Sequence, residues 1–144
     1  MKPGLFFKSI WSDEDVVELE IEVSDSISLF SFKAYLGQFD LREIISSLDR
    51  LENDGIGNTY DMKIGKFGPE HASGALSLSL QYLEPYKIFV TAKCQSGYSQ
   101  FFGDKVASEA SLYFITAPLL LKFFIDELKE FEDKKKDSVY LQAA

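Results

Sequence analysis

His71 is the only histidine in the chain and Cys94 the only cysteine. A zinc site needs three or four such ligands, so none can be assembled from them. Carboxylates alone can hold magnesium or calcium, and Asp13, Glu14 and Asp15 are consecutive acids. They lack the alternating spacing of a calcium loop and read as a solvated turn. A serine–histidine pair would have to use His71, in Gly68-Pro69-Glu70-His71-Ala72-Ser73-Gly74. That stretch holds no G-x-S-x-G elbow, so His71 reads as a surface-loop residue. Cys94 follows Ile88, Val90 and Ala92 at period two and reads as a small buried hydrophobe. Gly55-Ile56-Gly57 and Gly65-Lys66-Phe67-Gly68 open no helix and match no phosphate-binding loop. The expectation is a protein that is not an enzyme, with no catalytic residue, metal or cofactor.

Two surface features point to binding. Glu18, Glu20 and Glu22 fall on one side of a strictly alternating strand and form an acidic row, with steps of about 7 Å. Such a row is either a solvated sheet face or a contact for a basic partner, and the solvated face is the simpler reading. Gly97-Tyr98-Ser99-Gln100-Phe101-Phe102-Gly103-Asp104 concentrates three aromatics between glycines. It is either a short strand filling the core, which the sequence favours, or an aromatic loop offered to a partner. Tyr98, Phe101 and Phe102 join the three glutamates as the candidate contacts.

The net charge of −8, from 23 acidic and 15 basic side chains, argues against a polyanionic ligand such as nucleic acid. Arg42 and Arg50 are the only arginines. No stretch is long and apolar enough to suggest a membrane span, and Leu5-Phe6-Phe7, interrupted by Lys8, is too short for a secretory leader. One cysteine fits a reducing compartment. Together these features imply a soluble cytoplasmic protein, and they say nothing of its oligomeric state. With 144 residues and 13 phenylalanines, the chain has enough apolar material for one core.

The elements that must position these residues follow from periodicity. Val17 to Val23 alternates and pairs with a second strand over 27–36. A two-residue turn at Asp25-Ser26 would set Glu18 opposite Lys33. Asp40 is placed to cap a helix, with Glu43 as the reciprocal acid and Phe39 and Ile44 as a hydrophobic staple. Leu41, Ile44, Ile45, Leu48 and Leu51 make its buried stripe, and Asn53-Asp54-Gly55 ends it. Strands are expected at 59–66, 75–83, 87–94 and 106–116. A second helix follows Pro118, with Leu120, Leu121, Phe124, Leu128 and Phe131 inward. Residues 137–144 read as a loose tail. The expected fold is a single α+β domain, β-β-α-β-β-β-β-α, with an antiparallel sheet of about six strands and two helices on one face. No internal repeat is visible in the sequence.

The strand pair before the helix, the helix from Asp40-Leu41 to Leu51, the link at Gly55, the 73–80 strand and Leu112-Tyr113-Phe114 before the last helix together resemble the WapI-like family of bacterial immunity proteins. That resemblance implies a small cytoplasmic protein that binds and blocks a cognate toxin domain without chemistry of its own. An accessory or scaffold subunit of a larger assembly, using an apolar face and the tail Val139-Tyr140-Leu141, is the alternative. A small-molecule-binding domain with a pocket between sheet and helices ranks below both.

Overall fold

The computed structural model describes residues 2–71 and 73–144. The chain runs β1 (Gly4–Ser12), β2 (Val16–Ser24), β3 (Leu29–Gly37), α1 (Gln38–Asp54), β4 (Asn58–Ile64), β5 (Ala75–Glu84), β6 (Lys87–Gln95), β7 (Ser99–Phe101), β8 (Asp104–Val106), β9 (Glu109–Thr116), α2 (Pro118–Glu132) and β10 (Ser138–Gln142). It is one α+β domain with antiparallel pairing, but its strands form three sheets: β10-β1-β2-β3, β4-β5-β6-β9 and the small hairpin β7-β8. The inward faces of the two larger sheets and the inner stripes of both helices share one apolar core.

The β2–β3 hairpin forms with a longer turn than the sequence suggests. Ser24 pairs with Leu29, so four residues turn instead of two. Asp25 Oδ1 accepts bonds from the Ile27 and Ser28 amides at 2.9 and 2.7 Å, and Ser26 takes φ 74°. Those bonds hold the Asp25 carboxyl below its ordinary range. The register moves by two residues, which preserves every side chain's face. It sets Lys33 opposite Glu20 and Tyr35 opposite Glu18.

Helix α1 begins three residues before an Asp40 cap would have it begin. Gly37 occupies the cap position and no side chain caps the helix. The Gln38 amide donates to the Asp15 carbonyl at 2.9 Å, and its side-chain Nε2 donates to the Asp13 carbonyl at 3.1 Å. The β1–β2 turn thus satisfies the first helical amide, so no capping side chain is required. Asp40 lies in the first turn, and Phe39 is exposed where a staple would have buried it. The inward stripe of α1 is as its periodicity indicates. In α2, Ile125 is buried while Leu120 is only half-buried. The helices run antiparallel, with Arg42 bound to Glu132 at 2.9 Å and Lys129 to Asp49 at 3.2 Å.

Residues 138–142 are not a loose tail. They pair with β1 from Gly4↔Gln142 to Lys8↔Ser138, burying Val139 and Leu141. The strand order then reads as two equivalent units. Four antiparallel strands and a helix, β4-β5-β6-β9-α2, are matched by β10-β1-β2-β3-α1, with β7-β8 an insertion in the first. Each helix carries the chain from the last strand of one sheet to the first strand of the other. The repeat is one of architecture, because matching faces requires only matching periodicity.

The units meet at two seams. At one, the Ala144 amide donates to the Ile115 carbonyl at 2.7 Å, and Thr116 Oγ1 donates to the Gln142 carbonyl at 2.7 Å. At the other, the Gly74 amide donates to the Lys33 carbonyl at 2.9 Å. A Cβ on Gly74 would lie 2.6 Å from both the Lys33 and Gln95 carbonyl oxygens. Gly74→Ala should therefore destabilise the protein by about 1–3 kcal/mol. Denaturant unfolding measures this, and an unchanged midpoint would show that the seam bears no strain. Because the Ala143 amide donates to the Pro3 carbonyl at 3.2 Å, a permutant linking Ala144 to Lys2 and opened at exposed Ile56 should fold. Its far-UV and near-UV circular dichroism should match the parent's.

Candidate protein-binding surface

Strand β2 turns Val17, Leu19, Ile21 and Val23 into the core and Glu18, Glu20 and Glu22 outward, each half-buried by its neighbours. The register gives the three acids different surroundings. Glu20 lies between Lys8 of β1 and Lys33 of β3. Glu22 lies between Phe6 and Ser31, and Glu18 between Trp11 and Tyr35. The Glu18 charge, with a smaller contribution from desolvation, pushes the Tyr35 phenol up. The row is thus one balanced carboxylate with an aromatic neighbour to the acid at each end.

Each end opens on a depression. Beside Glu18 is a cleft of about 380 Å³ at the Gly74 seam, which Lys33, Tyr35, Ser73, Ser96 and Gly97 also line. Beside Glu22 is a groove of about 530 Å³ lined by Lys2, Phe6, Leu29 and Tyr140. The sequence reading missed both. The groove needs Phe6 on β1 and Tyr140 on β10, two strands that it did not assign. Their alternation is present, but Leu5-Phe6-Phe7 masks it with consecutive apolar residues.

The aromatic segment does not fill the core. Ser99–Phe101 and Asp104–Val106 form a hairpin in which every residue from 99 to 106 is exposed. Phe102 and Gly103 take φ 49° and 88°, the left-handed pair of a type I′ turn. Phe101 is 69% exposed and Phe102 100%. A two-residue turn at the tip points Phe102 away from the domain, so no core contact is available to it. The foot is fastened by bonds from the Ser96 amide to the Ser108 carbonyl and from the Ser108 amide to Ser96 Oγ, both 2.9 Å. Tyr98 is half-buried beside Gly97, which lines the seam cleft. The cleft therefore joins the foot of the hairpin to the Glu18 end of the acidic row. Tertiary structure brings together two features that lie about 75 residues apart in the chain.

The other reactive side chains are placed as follows. Asp13 Oδ1 accepts bonds from the Asp15 and Val16 amides, both at 2.9 Å, which hold its pKa down. His71 lies in a loop with Nε2 3.4 Å from Glu70 Oε1. Among the described residues, no group of three or more His, Cys, Asp or Glu is arranged to hold a metal ion. Cys94 is buried between Leu76 and Ala110, and desolvation pushes its thiol up to about 12. The thiol therefore stays protonated at pH 8. Folded protein should react with a disulfide reagent at a small fraction of the unfolded rate. A native rate equal to that in denaturant would show that the strand opens readily.

Fold and surface together define a two-helix α+β domain that displays an aromatic hairpin and an acidic sheet face. No family model, curated protein or solved structure matches the chain. No helix among the described residues is long and apolar enough to cross a membrane.

Proposed function

We propose that this chain is a protein-binding domain of the immunity type, which docks on a basic toxin domain and blocks it. The observation that carries the reading is the β7–β8 hairpin. It adds exposed apolar surface, and its tip places a phenylalanine where turn geometry favours asparagine or glycine. Aromatic side chains in such positions regain their burial from a partner, where they commonly carry much of the binding energy. The net charge of −8 and the outward glutamates supply electrostatic attraction to a basic surface. The stretches flanking α1 and preceding α2, which resemble WapI-like immunity proteins in sequence pattern, support the same reading. For the scaffold alternative, Val139 and Leu141 of the tail are buried in the β10-β1-β2-β3 sheet, which leaves an apolar face and half-buried Tyr140 as its contacts.

Replacing Phe101 and Phe102 together by serine should leave the unfolding midpoint unchanged, since both side chains are solvated. Partner affinity should fall by at least about tenfold. Quantitative affinity capture from the source cells, comparing the native chain with the double variant, identifies a protein retained only by the former. Replacing Glu18, Glu20 and Glu22 by Gln should slow its association and flatten the salt dependence. Identical capture profiles for native chain and hairpin variant would overturn the proposal.

A further inference from the structure

The groove at the Glu22 end of the row has a composition of its own. Phe6 pairs directly with Tyr140 on one side and with Glu22 on the other. Three adjacent strands thus align ring, ring and carboxylate on the outward face, with steps of about 5 Å. The Tyr140 hydroxyl donates to the Pro3 carbonyl at 2.6 Å, which fixes that ring. Leu29 closes the far wall. Glu22 has Phe6 and Ser31 as cross-strand neighbours, and no ion pair among the described residues includes it. A half-buried carboxylate in an aromatic groove is complementary to one kind of ligand head: a cation delocalised or alkylated enough to lie on a ring face.

We propose that this groove receives a single arginine side chain of the partner, with Glu22 as its counter-charge. The attribution of that side chain to a partner rests on the function proposed above. The guanidinium bonds to the Glu22 carboxylate while its plane stacks on Phe6 or Tyr140, and the aliphatic stem lies along Leu29. Lys2 lines the same groove and is exposed. Its ammonium repels the arriving cation, so it weakens the site without filling it.

Amide NMR titration of the whole chain tests the site without the partner. The probes are N-acetyl-arginine methylamide, the uncharged citrulline analogue of the same shape, and tetramethylammonium. The arginine derivative should give saturable shifts at Phe6, Glu22, Leu29 and Tyr140, and the citrulline analogue should bind about tenfold more weakly or worse. Glu22→Gln should weaken arginine binding about tenfold. Phe6→Leu should weaken it about threefold, since it keeps the wall and removes the ring face. Lys2→Met should strengthen it. Circular dichroism confirms that each variant is folded. Equal response to citrulline, or no effect of Glu22→Gln, would overturn the proposal. So would tetramethylammonium saturating the groove where arginine does not, which would mark a small-molecule cation site. Weaker binding in Lys2→Met would mark an anion site and overturn it too. The titration and the hairpin capture read different residues, so either can fail while the other stands.

Discussion

The pairing of β10 with β1 is the contact on which the rest of the architecture depends. It joins residues at opposite ends of the sequence, from Gly4↔Gln142 to Lys8↔Ser138. Without it β1 would be an edge strand, with Leu5 and Phe7 open to solvent along one side. The approach is close. Gly4 takes φ 138°, and a Cβ there would overlap the Leu141 carbonyl, so the backbones meet where only glycine fits. Closure at this edge also places α2, which leads directly into β10, over the core. There Phe124 meets Phe7 with ring centres 6.1 Å apart.

Once that edge is closed, the two units constrain each other. Each helix leaves the last strand of one sheet and delivers the chain to the first strand of the other, and the β10-β1-β2-β3 sheet is completed only after the chain has passed through the second one. The core is correspondingly shared. Gln95 shows how the polar groups inside are accommodated: its Oε1 accepts from the Gly68 amide at 3.1 Å, and its Nε2 donates to Glu109 at 2.9 Å. No described buried side-chain nitrogen or oxygen lacks a partner. A domain whose interior is satisfied in this way has its unsatisfied features on the surface.

Those surface features are unevenly distributed. Lys8 and Lys33 are both cross-strand partners of Glu20, whereas the cross-strand partners of Glu18 and Glu22 include aromatic rings and no cation. The β7–β8 insertion lies between two strands that are already sheet neighbours, so the connection from β6 to β9 does not need it. It contributes exposed aromatic surface beside the cleft that holds Glu18. A binding surface built from an inserted hairpin and a sheet face can change without disturbing the core, because every core residue of β2 points the other way.

Much of this was legible in the sequence. Period-two alternation placed β2, β5 and β6, and the stripe from Leu41 to Leu51 placed α1, because both signals are local and set by side-chain direction. The same alternation assigned the glutamates to the outward face, and a two-residue slip of the hairpin left that assignment intact. What the sequence could not supply was partners. The start of α1 depends on a carbonyl from the β1–β2 turn, which replaces the cap that Asp40 seemed to offer. The strand β10 depends on β1, whose paired residues lie 130 or more positions away in the chain. The aromatic segment was ambiguous because three aromatics in six residues suit a core as well as a surface. Its exposure was decided when β6 and β9 paired with each other and left the insertion outside. The sequence by itself determined which face of each element is apolar. Tertiary structure alone decided which faces meet, since hydrophobic burial is non-directional and is satisfied by any partner that closes the core.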